Sequence, residues 1–121
     1  MSKLTAQEIK AFVPARDYAE SKAFYSDMGF TMASDMGDVA YFHVGNCSFL
    51  LQDFYQQALA ENLMMHLLVD DARAWYAAVQ QADLAGKYRV RLSELLEQPW
   101  GMLDFTLTDP SGVLWRVGQN L

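Results

Sequence analysis

Residues 17–30, DYAESKAFYSDMGF, contain the start, the body and the end of one short helix. Asp17 suits the N-cap position, because its carboxylate can accept hydrogen bonds from the free backbone amides of the first turn, and Glu20 completes a capping-box-like pair. Gly29 suits the position just beyond the helix end, so Phe30 begins an extended segment. The spacing of three apolar residues predicts that one helical face is buried, and these are Phe24, Tyr25 and Met28.

Strands surround this helix in the first half of the chain. Residues 9–13, IKAFV, are predicted to form a strand that Pro14 closes. Turn signals at Met36-Gly37-Asp38 and at Gly45-Asn46 separate the extended segments that follow the helix. Those segments are residues 30–34, 39–44 and 47–52, so the predicted order is βαβββ.

The same order recurs in the second half. Residues 63–69, LMMHLLV, are strand-like, and Asp71 can cap a helix over residues 71–81, which places the second cap 54 residues after Asp17. The turn at Ser111-Gly112 follows Gly45-Asn46 by 66 residues. A loop is predicted over 93–99, and strands over 88–92, 101–108 and 113–117. The predicted fold class is α+β, a single domain with βαβββ modules at about 7–53 and 62–119 and a linker at 54–61.

Composition narrows the class of protein. The chain has 121 residues, of which 52% are hydrophobic, and no apolar run approaches the roughly 18 residues of a membrane span. The net charge of −6 argues against nucleic acid or an anionic membrane as a partner and mildly favours cationic ligands. Cys47 is the only cysteine, and residues 1–10 lack the apolar segment of a signal peptide, so we expect a cytoplasmic protein.

Several stretches resemble one known family. They are VPARDYAESKAFYSDMGF (13–30), VGNCSFLLQ (44–52), HLLVDDARAWY (66–76), PWGMLDFTLTDPSG (99–112) and VLWRVGQNL (113–121). They resemble the superfamily of glyoxalase I, bleomycin-resistance proteins and extradiol dioxygenases, which has the vicinal oxygen chelate fold. The most specific pieces are the D-x-x-x-x-x-x-F-Y-x-x-x-G-F helix and the P-W-G…D-P-x-G hairpin, and the bleomycin-resistance branch is the most similar.

The resemblance implies an architecture and a mode of binding. Each module would form a cupped mixed sheet, and paired cups would enclose a small-molecule ligand. Short proteins of this type commonly form homodimers, in which strands can be exchanged between protomers and ligands bind in clefts at the interface. Bleomycin-resistance proteins bind the drug and do not transform it.

Enzymes of this superfamily hold a divalent metal with His, Glu or Gln, one from each of four strands. The matching positions here are Lys10, Leu50, Met64 and Arg116, with Gln52 as an alternative on the fourth strand. Ammonium, guanidinium and aliphatic groups do not ligate a divalent cation, and thioether sulfur is a poor partner for Mg²⁺, Mn²⁺ or Zn²⁺. We therefore expect no metal and no other cofactor.

Candidate ligand-binding residues follow from strand alternation and from the resemblance. His66 lies two residues beyond Met64 and so shares its face, and Phe12 and Gln52 are its counterparts at the two offsets. Trp100, in the PWG loop, offers a flat surface for a planar or cationic ligand. Residues on the cup strands that face either the cleft or a helix, or that add charge, complete the set: Tyr41, Phe49, Asp104 and Arg116.

The sequence thus favours a metal-free protein that sequesters a bulky cationic or aromatic ligand in a dimer cleft, with no catalytic residues. Two alternatives stay open. One is a metal-dependent lyase or dioxygenase of the same superfamily with a displaced site around His66, Gln52 and Glu8. The other is a non-catalytic interaction module, in which the protein's own side chains would fill the cleft.

Overall fold

A computed structural model describes residues 3–121 and contains two four-stranded sheets with four helices among those residues. The helices are α1 (Tyr18–Met28), α2 (Gln57–Ala60), α3 (Ala72–Gln81) and α4 (Leu84–Tyr88). The strands are β1 (Phe12–Pro14), β2 (Thr31–Asp35), β3 (Val39–Val44), β4 (Cys47–Gln52), β5 (Met64–Leu68), β6 (Leu96–Gln98), β7 (Met102–Thr108) and β8 (Leu114–Asn120). The predicted α+β fold with two βαβββ modules is confirmed.

Local chemistry sets the ends of the two long helices. The Asp17 carboxylate accepts from the backbone amide of Glu20 at 3.1 Å, and Asp71 caps α3 in the same way through the Ala74 amide at 3.1 Å. Gly29 ends α1 with φ of 120°, a conformation that L side chains rarely adopt. Both caps therefore lie where the sequence predicts them.

The two sheets have equivalent topologies. Their strand orders are β1-β4-β3-β2 and β5-β8-β7-β6, and the first pair of each sheet is parallel. Phe12 pairs with Leu50 in the first sheet, and His66 pairs with Arg116 in the second. These partners are separated by 66 − 12 = 54 and 116 − 50 = 66 residues, the same two offsets that relate the modules in the sequence.

Residues 88–99 differ from the prediction. The expected strand over 88–92 is replaced by the end of α4 and an irregular segment, because Asp83 caps α4 through the Gly86 amide and the Tyr88 ring packs edge-to-face on Phe24 at 5.2 Å. Only Leu92 forms a bridge, to Leu107. The predicted loop over 93–99 instead contains β6, which pairs antiparallel with β7 at the sheet edge.

Other boundaries differ by a few residues. The first strand begins at Phe12, three residues later than predicted, and the last strand continues to Asn120. The segment predicted as a linker contains the single turn α2. No helix among residues 3–121 has the length and hydrophobicity needed to cross a membrane.

One core is shared by both sheets, and Tyr25 lies at its centre. Its ring is fully buried and lies 4.8 Å from the Phe49 ring and 5.6 Å from the Trp115 ring, measured between centroids. The Tyr25 hydroxyl donates to the Asp109 carboxylate and accepts from Trp115 Nε1 at 2.9 Å. Tyr25 belongs to the first half of the chain and its two partners to the second, so a buried polar network joins the halves.

The partners of Asp109 are complete within this network. Its second carboxylate oxygen accepts from the backbone amides of Ser111 at 2.8 Å and Val113 at 2.9 Å. Burial raises the pKa of the Asp109 carboxyl and the pKa of the Tyr25 hydroxyl above their ordinary values. Asp109 thereby anchors the turn between β7 and β8 to helix α1.

We expect Tyr25→Phe to lower the free energy of unfolding by about 2–3 kcal/mol, because a buried carboxylate oxygen and the Trp115 indole would each lose a partner. Urea denaturation followed by tryptophan fluorescence measures the change. Tyr18→Phe is the matched control, since the Tyr18 hydroxyl donates to Asp35 at 2.7 Å at an exposed site of the same helix. Equal losses in both variants would contradict a special role for the buried network.

Candidate ligand-binding site

Each sheet has one face in the shared core and one face outside it. Alternation along β4 makes Phe49 and Leu51 buried while Ser48, Leu50 and Gln52 remain partly exposed. We call the outer side of the first sheet the first-sheet face, formed by Phe12, Tyr41, His43, Ser48, Leu50 and Gln52. The second-sheet face is formed by Met64, His66, Met102, Asp104, Thr106 and Arg116, with Gln98 and Trp100 at its β6 edge.

An ion pair occupies the centre of the second-sheet face. Arg116 Nη1 donates to Asp104 Oδ2 at 2.7 Å, and Gln98 Nε2 donates to Asp104 Oδ1 at 2.9 Å. Asp104 is only 1% exposed, so its charge depends on these two donors. The Arg116 guanidinium also lies 5.7 Å from the centre of the Trp100 ring, within cation–π range. Arg116 thus holds the buried carboxylate and the exposed indole together.

Gly118 makes the close packing of this face possible. A Cβ atom at Gly118 would lie 2.8 Å from Met102 Cε, 3.3 Å from Asp104 Cβ and 3.5 Å from His66 Nε2. Side chains from β5 and β7 therefore meet over a strand position that has no side chain of its own. The His66 side chain is exposed there, beside Arg116 in the register.

The first-sheet face carries a second polar group, supplied by the segment before β1. The Glu8 carboxylate accepts from the Tyr41 hydroxyl at 2.8 and 3.0 Å and from the Ser48 hydroxyl. Lys10 Nζ lies 3.7 Å from Glu8 and 5.2 Å from the centre of the Tyr41 ring. These hydrogen bonds, led by Ser48, hold the pKa of Glu8 below its ordinary value, so the group is anionic at neutral pH. An open cavity of about 510 Å³ lies here, lined by Gln7, Glu8, Ala33, Tyr41, His43, Gly45, Asn46 and Ser48.

The nine candidate residues separate into three groups. Five lie on the second-sheet face: Met64, His66, Trp100, Asp104 and Arg116. Three lie on the first-sheet face: Phe12, Tyr41 and Gln52.

Phe49 joins neither face. Its side chain is 1% exposed and lies in the core, where it stacks on Phe42 at 5.5 Å and contacts Tyr25 and Trp115. Strand alternation points its neighbours, and not Phe49, toward solvent.

Sequence reasoning missed two polar members of these faces. Gln98 was placed in a loop, and only the pairing of β6 with β7 brings its amide to Asp104. Ser48 has no special spacing, and its role depends on Glu8, forty residues earlier. In both cases the partner is fixed by strand register, which neither residue type signals.

The residues at the four metal-ligand positions do not fit a divalent metal. Lys10 and Arg116 are cations that already pair with Glu8 and Asp104, and Leu50 and Met64 offer no hard donor. Within residues 3–121, no three side chains of His, Cys, Asp or Glu come together in a way that could hold a metal ion. The displaced site is also not assembled in one place, since His66 lies on the second sheet while Gln52 and Glu8 lie on the first.

The fold and these faces define a class: an α+β protein of two βαβββ modules with one open, partly aromatic face on each sheet. The family described as Glyoxalase/Bleomycin resistance protein/Dioxygenase superfamily matches residues 8–117. The chain belongs to this superfamily. Comparison with curated proteins gives no match.

Solved structures with the same fold include both binding proteins and an enzyme. A bleomycin resistance determinant encoded on the transposon Tn5 is 23% identical, with a TM-score of 0.80 over 95% of this chain and 98% of that chain. A bleomycin-binding protein complexed with bleomycin is 23% identical, with a TM-score of 0.79 over 96% and 100%. Lactoylglutathione lyase from Agrobacterium tumefaciens is 18% identical, with a TM-score of 0.69 over 95% of each chain. At these identities the likeness establishes the fold.

We expect no divalent metal to stabilise the purified, chelator-treated protein, because the four strand positions lack hard, anionic donors. Thermal unfolding with increasing Mg²⁺, Mn²⁺, Ni²⁺ or Zn²⁺ measures this, since a ligand that binds only the folded state raises Tm with its concentration. A saturable rise that disappears in His66→Ala would contradict the expectation and restore the displaced-site enzyme.

Arg116→Met should destabilise the fold by about 3 kcal/mol, the lower end for a broken buried ion pair, because Arg116 itself is 28% exposed while Asp104 is 1% exposed. The double variant Arg116→Met, Asp104→Leu should recover most of this loss, since it removes the uncompensated charge. Urea denaturation gives both values, and Arg73→Met, an exposed change on α3, is the control. A double variant no more stable than the single one would show that the pair is not the cause.

Proposed function

We propose that this chain is a metal-free binding protein that sequesters a bulky small molecule without transforming it. The observation that carries the proposal is the second-sheet face, where an ion pair and an exposed indole occupy the place at which related enzymes bind metal. Cationic side chains at metal-ligand positions repel a divalent ion and leave aromatic and apolar surface free for an organic ligand.

Exposed apolar surface supports a cleft that a second copy completes. Four large side chains on or beside the open faces are about half exposed: Phe12 (55%), Met64 (57%), Leu68 (54%) and Trp100 (59%). Leu4 and Ile9, in the segment before β1, are 99% and 97% exposed. We therefore place the ligand in a homodimer, between the first-sheet face of one protomer and the second-sheet face of its partner, with the segment before β1 available for exchange.

The polar groups give the proposed cleft a preference. On the second-sheet face Arg116 neutralises Asp104, so Trp100 contributes mainly a flat surface for an aromatic ring. On the first-sheet face, Glu8 supplies an anionic group next to the Tyr41 ring. A ligand with an aromatic part and a cationic part matches this arrangement, and the remaining lining is Phe12, Gln52, Met64 and His66.

The comparisons add the kind of ligand. One structure with this fold is of a bleomycin-binding protein complexed with bleomycin. Bleomycin or a related antibiotic is accordingly the first ligand to test. Protection would come from stoichiometric burial of the drug in the cleft, with no bond made or broken.

Metal-free bleomycin should raise the Tm of the metal-stripped protein by several degrees at about 100 times its Kd, since such a ligand adds roughly 2.7 kcal/mol to the folded state. Trp100→Ala should lose most of the shift. Phe54→Ala is the control, because Phe54 is similarly exposed (48%) but lies in the loop after β4, outside both faces.

The same samples test the dimer. Sedimentation velocity should give a species of about twice the 13.7 kDa chain mass, and calorimetric titration should give one drug per chain. The absence of a Tm shift at millimolar drug would remove bleomycin-type ligands. A monomer that binds drug with the wild-type affinity would remove the shared cleft.

A further inference from the structure

A second cavity lies where the two halves of the chain meet, and it shares none of the nine candidate residues. Its volume is about 630 Å³. Its walls come from the start of α1, from α2, from the segment after α4 and from the turn between β7 and β8. The residues that matter for its chemistry are Arg16, Arg89, Arg91, Tyr55, Tyr88 and two glutamates.

Three of the five arginines of this acidic chain line this one cavity. Among residues 3–121, Arg16, Arg89 and Arg91 have no carboxylate oxygen within 4.0 Å, whereas Arg116 and three lysines have ion-pair partners. Like charges gathered without counterions raise the free energy of the protein. An anion bound between them would remove that cost.

The backbone holds these arginines in place without using all of their donors. The Arg16 amide donates to Ser111 Oγ at 2.9 Å, and Arg16 Nη2 donates to the Pro110 carbonyl at 3.0 Å. Arg91 exchanges two bonds with Thr108, through its amide to Thr108 Oγ1 and through its carbonyl to the Thr108 amide, both at 3.0 Å. Arg89 has φ of 56° at the end of α4. The guanidinium groups of Arg89 and Arg91 keep their donors free of hydrogen bonds within residues 3–121.

The acidic residues of the cavity wall do not cancel the arginines completely. Glu20 and Glu61 also line it, and Glu61 accepts from Gln57 Nε2 at 2.9 Å. Asp109 lies in the wall as well, but its two oxygens are occupied by Tyr25 and by backbone amides. The three arginines and two glutamates leave an excess of one positive charge, in a chain whose net charge is −6.

We propose that this cavity binds a small organic phosphate ester. Arginine presents several donors in a planar fork that matches phosphate oxygens, and two or three such forks hold a dianion more strongly than a monovalent one. Tyr55 and Tyr88 give the wall aromatic surface on which the organic part of the ester can pack. The alternating Arg89 and Arg91 of the segment YRVRL, which the predicted strand did not explain, thereby acquire a role.

Phenyl phosphate and inorganic phosphate are the probes, titrated by calorimetry and by thermal unfolding at constant ionic strength adjusted with NaCl. Phenyl phosphate should bind saturably and raise Tm beyond the chloride control. Arg91→Gln should weaken it about tenfold or more, because it removes a charge-assisted contact. Arg73→Gln is the matched control, an arginine on α3 outside the cavity that also lacks an ion pair among residues 3–121.

Each outcome decides the assignment. Phenyl phosphate binding that falls in Arg91→Gln and not in Arg73→Gln supports the ester site. Inorganic phosphate binding as tightly as phenyl phosphate would overturn the ester and assign the site to free phosphate. No saturable effect of either probe, or equal losses in both variants, would overturn an anion site here. Bleomycin binding serves as an independent readout in these variants, since none of their residues lies on the open faces.

Discussion

The hydrogen bond from the buried Tyr25 hydroxyl to Asp109 is the interaction on which the arrangement of the two halves depends. A carboxylate in the core is tolerated only when its oxygens have partners, and here the partners come from α1 and from the turn before β8. Trp115 Nε1 donates to the same hydroxyl, so its indole is fixed as well. The network therefore specifies how helix α1 of one half docks on the sheet of the other, where apolar contact alone would permit sliding.

The position of this network explains why the fold was largely predictable from the sequence. Asp17 and Gly29 set the ends of α1 by local chemistry, and Phe24, Tyr25 and Met28 then point the same face inward. Local rules failed at residues 88–99, where the alternation of YRVRL fits a strand. A tertiary contact decided this case, since the Tyr88 ring packs against Phe24, more than sixty residues away.

The candidate site was less predictable, because it depends on which side of each strand faces the core. Alternation along β4 gives two equivalent choices, and only the aromatic core around Tyr25 selects the one that buries Phe49 and exposes Ser48 and Leu50. Asp104 was expected to supply negative charge to a cleft. Its register with Gly118 and its ion pair with Arg116 make it a structural anchor for that face instead.

The two open faces share one electrostatic device. In each, a cationic side chain at a position where the family's enzymes supply a metal ligand is held by a carboxylate: Lys10 by Glu8 and Arg116 by Asp104. The fixed cation also lies over or beside an aromatic ring, Tyr41 in one case and Trp100 in the other. A cation that belongs to the protein opposes binding of a divalent ion and orients an aromatic ring at the same time. The same scaffold that positions a reactive metal in an enzyme therefore presents, in this chain, two aromatic surfaces suited to holding an organic molecule intact.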